Sequence, residues 1–104
     1  MEFCIALTTT NSQALTERII DALLKERLAA CIQTMPIESH YVWQEQVCRD
    51  NETLLVIKTT QSNYVEVEQK VVELHDYDTP QVVQVPIVDG FNPYLSWLEA
   101  NTRR

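Results

Sequence analysis

Residues 31–60, CIQTMPIESHYVWQEQVCRDNETLLVIKTT, decide the fold, because they are rich in strand formers and show no helical stripe. Ile32, Met35, Ile37, Tyr41, Val42, Trp43 and Val47 do not fall on one helical face, so residues 31–47 are read as a long, irregular strand. Pro36 has no N–H to give to a ladder, which predicts a bulge, a bend or a sheet edge. The polar run CRDNE, residues 48–52, reads as the turn into a second strand over residues 53–60. The stretch therefore predicts a β-hairpin.

Upstream, residues 3–8 alternate loosely between apolar and small side chains and predict a first strand. Asn11 or Ser12 is placed to cap a helix in which Leu15, Ile19, Ala22 and Leu23 recur at helical spacing, with Glu17, Arg18, Asp21, Lys25 and Glu26 mostly on the other side. Downstream, Ser62 is the expected cap of a second helix carrying Tyr64, Val67, Val71 and Leu74 on one face. Residues 81–86 predict a fourth strand. Asn92 as cap and Pro93 at the first helical position open a short C-terminal helix, whose dipole Arg103 and Arg104 are expected to complement. The order β-α-β-β-α-β plus a terminal helix is the split βαβ pattern, so residues 1–104 are expected to form one α+β, ferredoxin-like domain with an antiparallel sheet.

A chain of 104 residues buries a modest core and gains from an oligomeric interface. Fifteen acids against eight Lys and Arg give a net charge of −7, which repels phosphate backbones and anionic membrane surfaces. No nucleic acid and no membrane are expected as partners. Metal cations are attracted by such a surface, without being selected by it. The N-terminus has no basic region before a long apolar run, and no window approaches the roughly 18 apolar residues of a membrane span, so a cytoplasmic location is expected. Cys4, Cys31 and Cys48 are odd in number and lack CxxC spacing, which argues for reduced thiols, with Cys4 and Cys31 packed as small hydrophobes. Gly90 is the only glycine, and this excludes a glycine-rich phosphate loop or dinucleotide fingerprint.

Candidate chemistry gathers in residues 73–90, ELHDYDTPQVVQVPIVDG. On an extended backbone His75 and Tyr77 would face away from Asp76 and Asp78, whereas in a turn imidazole and carboxylate oxygens could hold Cu(II), Zn or Ni loosely. The alternative places His75 at a helix C-terminus, where the dipole favours its cation, with Asp76, Asp78 and Pro80 shaping the turn. Neither His40 nor His75 has a second histidine at helical spacing, and nothing local marks a catalytic triad. Tyr41 and Trp43 share a strand face that lines a cleft, fills the core or meets another subunit. Lys58, inside an apolar strand, either reaches solvent in an ion pair or points into an anion pocket.

Taken in order, ERLAACI from Glu26, YVWQ from Tyr41, LLVIKTT from Leu54, HDYDTPQVVQVPIVDG from His75 and YLSWL from Tyr94 resemble the CutA divalent-cation tolerance family over nearly the whole chain. The resemblance implies a ferredoxin-like subunit in a homotrimer, no enzymatic reaction, no obligatory cofactor, and a tie to divalent metals, copper in particular. It also implies an inter-subunit cleft with Trp43, Lys58 and Tyr77 as ligand-facing residues and His75 as the metal-facing one. Asp76 stands where the family commonly has proline, Gln81 where it has glutamate, and Glu45 and Ile37 where it often has glycine. The leading expectation is a non-enzymatic trimer that aids metal tolerance by binding Cu(II) or a similar ion weakly. The second is a sensor like the PII signalling proteins, binding a small anionic ligand between subunits.

Overall fold

The computed structural model describes residues 2–103. Strand β1 (Phe3–Thr10), helix α1 (Gln13–Lys25), strands β2 (Cys31–Trp43) and β3 (Gln46–Thr60), helix α2 (Tyr64–Leu74), strand β4 (Val82–Ile87) and helix α3 (Asn92–Ala100) follow one another in that order. The strands form one sheet in the order β2-β3-β1-β4 with every pairing antiparallel. This is the ferredoxin-like α+β arrangement expected from the hairpin between two helices.

Strand alternation sorts the sheet into two faces. Cys4 and Ala6 on β1 and Leu55 and Ile57 on β3 are fully buried, and Ala6, Leu55 and Ile57 meet Leu15, Ile19 and Leu23 of α1 and Val67 and Val71 of α2. The intervening residues Ile5, Leu7, Leu54, Val56, Val83 and Val85 stand on the opposite face, which α1 and α2 do not cover. Burial holds the Cys4 thiol well above its ordinary range, at about 11, so it is inert. All three cysteines are free.

The caps follow the sequence in part. Ser12 Oγ accepts from the Leu15 N–H at 3.2 Å and starts α1. Ser62 does not cap α2, because a 3₁₀ turn over Gln61–Asn63 precedes that helix and Ser62 instead meets the Thr60 hydroxyl. At α3 the cap is Phe91, with Asn92 already helical, one residue earlier than expected. Arg103 lies beyond α3, pairs with Glu66 of α2, and donates its N–H to the Arg27 carbonyl at 2.8 Å. It ties the tail to the helix layer rather than completing a dipole. Arg104 lies outside the described residues.

The hairpin is longer than its sequence suggests. Residues 48–52 are not the turn; they continue β3, and the register runs unbroken from Cys31↔Lys58 through Pro36↔Thr53 to Trp43↔Gln46. Pro36 is accommodated because β2 is an edge strand. Since β1 pairs with β3 only as far as Thr53, residues 37–43 and 46–52 project past the sheet as a two-stranded arm. The arm carries polar side chains because both of its faces lie outside the core. Its turn is Gln44–Glu45, at φ 50° and 66°, the left-handed pair of a tight two-residue hairpin. Neither residue is the glycine or asparagine that such a turn favours, so the turn was hidden from composition.

Glu45→Gly is expected to stabilise the protein by about 1 kcal/mol, because glycine removes the Cβ–carbonyl crowding of a left-handed residue. Urea unfolding checks this. A midpoint at or below that of the wild type would mean that the left-handed turn is not strained.

Candidate functional site

The projecting arm, the β1–α1 turn and the loop between α2 and β4 enclose a cleft of ≈ 600 Å³. Tyr41, Trp43, Asp50 and Glu52 enter it from the arm, Thr9 and Asn11 from the end of β1, and Tyr77 and Asp78 from the loop. Tyr41 and Trp43 share a face by strand alternation, and the cross-strand pair Ser39↔Asp50 brings the acid beside them. The Tyr41 hydroxyl donates to Asp50 Oδ2, and the Tyr77 hydroxyl donates to Glu52 Oε2 at 2.7 Å. The second bond latches the loop to the arm. The hydrogen bond to Asp50 pushes the Tyr41 phenol up to about 12. Burial first and Glu52 second drive the Tyr77 phenol upward. Both hydroxyls are therefore donors at neutral pH. No Lys or Arg lines the cleft among the described residues, and Asp50, Glu52 and Asp78 give it a negative potential.

Of the four site residues expected from the sequence, the structure brings Trp43 and Tyr77 together. Lys58 is elsewhere: it stands on the uncovered sheet face, donates to the Tyr94 hydroxyl at 3.2 Å, and lies 5.3 Å from the centre of that ring. Strand parity puts it there, since Leu55, Ile57 and Thr59 take the core-facing positions on either side. Asp50 and Glu52 share that face but sit on the arm, toward the other end of β3, so the expected anion pocket around Lys58 is not part of this cleft.

His75 also departs from its expected role. It caps the end of α2, but its ring turns inward with a fully buried side chain. Nε2–H donates to the Thr9 carbonyl at 2.7 Å, and Nδ1 accepts from the Tyr77 N–H at 3.2 Å. With both nitrogens engaged the ring has no free lone pair to offer a metal. Asp76 Oδ1, 3.6 Å from Nδ1, is exposed to solvent. His75 instead packs against the Tyr77 ring, with centroids 4.5 Å apart, and fixes where that tyrosine stands.

Asp50 and Glu52 were missed as site residues, because their run was read as a turn. The signal that finds them is their i, i+2 spacing, which puts them opposite Ile37 and Ser39 on the face that Tyr41 and Trp43 share once the strand is extended through them. Among the described residues no group of three or more His, Cys, Asp or Glu is placed to hold a metal ion. Among the described residues no helix is long and apolar enough to cross a membrane.

The profile of the CutA1 divalent ion tolerance protein family matches residues 4–101. The "Divalent-cation tolerance protein CutA" of Thermus thermophilus is 40% identical over 99 residues, covering 94% of this chain and 96% of that protein. The crystal structure of CutA1 from Oryza sativa superposes with a TM-score of 0.94 at 36% identity, covering 99% of this chain and 95% of the other. A structure described as the periplasmic divalent cation tolerance protein CutA from Archaeoglobus fulgidus gives 0.89 at 31%, covering 92% and 94%. With a family profile spanning nearly all of the sequence and relatives that match it end to end, the chain belongs to the CutA1 divalent ion tolerance family.

Proposed function

We propose that this protein is a non-catalytic homotrimer that contributes to divalent-cation tolerance by weakly binding copper or a similar ion, and that it does so in the cytoplasm. Family membership supports the tie to divalent cations. The single observation that carries the binding site is the cleft itself, whose lining among the described residues carries Asp50, Glu52 and Asp78 and no Lys or Arg. The ligands are the carboxylates of Asp50, Glu52 and Asp78 in place of His75. Oxygen donors that do not converge in threes suit an ion that keeps most of its water, so affinity is low. The trimer is supported by the apolar sheet face that α1 and α2 leave open. A sensor of anionic ligands finds no support in the cleft, since Lys58 is engaged by Tyr94 at the end of β3 away from the arm.

Titrating the protein with Cu(II) by calorimetry tests this reading. The double variant Asp50→Asn, Glu52→Gln keeps the hydroxyl acceptors but removes two charges. Its copper affinity is expected to fall about tenfold, each charge contributing roughly 0.5–1 kcal/mol at a partly exposed site. Unchanged affinity would place the ion outside the cleft.

A further inference from the structure

The cleft is larger and more aromatic than a site for a lone ion needs to be. We propose that its occupant is an organic cation of the polyamine type, with two or more ammonium groups spaced along an apolar chain. This rests on the cation-binding reading of the same cleft and specifies what fills it.

Volume is the first argument. A space of ≈ 600 Å³ is in the range of small-molecule pockets and holds a chain of atoms. Wall chemistry is the second. Tyr41, Trp43 and Tyr77 offer aromatic surface, which attracts weakly hydrated organic cations and packs on methylene groups. A small divalent ion surrenders its water to oxygen donors, not to rings.

The third argument is how the acids are distributed. Asp50 and Glu52 each accept one tyrosine hydroxyl, and an ionised carboxylate has acceptor sites left over for N–H donors. Asp50 and Glu52 lie on the arm, while Asp78 belongs to the facing loop. Carboxylates on two walls that do not converge on one point fit separated ammonium groups better than a single ion. The rings that share the cleft with them offer surface to the apolar linker. A divalent ion competes for the same carboxylates while keeping its hydration shell.

Titration with spermidine at fixed ionic strength, followed by calorimetry and tryptophan emission, tests the proposal, with Cu(II) and Mg²⁺ in parallel arms. Spermidine is expected to bind saturably and to outcompete Mg²⁺. Trp43→Leu should weaken spermidine about fivefold, the value of one cation–π contact, and weaken it more than it weakens Cu(II). Trp43→Phe, which keeps a ring, should retain most of the affinity. Trp43 is 44% exposed near the tip of the arm, so neither change threatens the fold. Equal spermidine affinity in Trp43→Leu, or spermidine binding no tighter than Mg²⁺, would overturn the aromatic site. Copper binding without spermidine binding would sink this inference and leave the metal reading standing, whereas failure of both ligands would end the cation-binding reading altogether.

Discussion

If the wild type assembles as the proposed trimer, Val83→Asp is expected to leave monomers in its place, and to lower stability by about 3 kcal/mol or more per protomer through an uncompensated buried charge. Val83 on β4 stands opposite Leu7, which pairs with Val56, which pairs with Gln33, so one row of side chains crosses the uncovered sheet face. In the single chain Val83 is 45% exposed, and changing such a surface residue moves stability by only about 0.5 kcal/mol. The large effect arises only if neighbouring subunits close over the row and strip water from the new carboxylate. Sedimentation equilibrium and thermal unfolding at several concentrations separate the two cases, because assembly makes the unfolding midpoint depend on concentration. A trimeric variant with an unchanged midpoint would move the interface to another surface. A wild type that sediments as a monomer at micromolar concentration would remove the assembly itself.

The same row shows why the fold was legible and the site was not. Leu15, Ile19 and Leu23 repeat at helical spacing because one stripe of α1 must meet the sheet, and that constraint is local enough to read from the chain. The arm obeys no such rule. With neither face of residues 46–52 packed in the protomer core, polar and apolar residues are equally tolerated there, and CRDNE looked like a turn. Its actual turn, Gln44–Glu45, lacks the glycine that would have announced it. Once the turn is misplaced, Asp50 and Glu52 lose their strand face and vanish from the site. Lys58 was placed in the cleft through the family resemblance alone, and its position along β3, opposite Ile5 and Cys31 and beside Tyr94, keeps it away from the arm. His75 was assigned by residue type. Only the tertiary structure shows that the Thr9 carbonyl, 66 residues away in sequence, takes its Nε2 proton.

His75→Leu is expected to destabilise the protein by about 2–4 kcal/mol, because it leaves two backbone groups, the Thr9 carbonyl and the Tyr77 N–H, without partners near the core. Leucine fills much of the space, so lost hydrogen bonds rather than a cavity dominate the change. The loss should also reach the cleft. Without the ring that packs against it and accepts its N–H, Tyr77 is no longer held where its hydroxyl meets Glu52, and the latch between loop and arm loosens. His75→Gln separates positioning from ligation, since a glutamine amide can donate to the Thr9 carbonyl while its oxygen cannot accept at the Nδ1 position in the same geometry. It should recover part of the stability lost in the leucine variant, and amide exchange at Tyr77 should remain faster than in the wild type. Were His75 a metal ligand instead, His75→Leu would abolish copper binding with stability untouched, because an exposed imidazole supports no backbone bond. Urea unfolding and copper titration on the same variant therefore give opposite results under the two roles, and the two occupied ring nitrogens favour loss of stability.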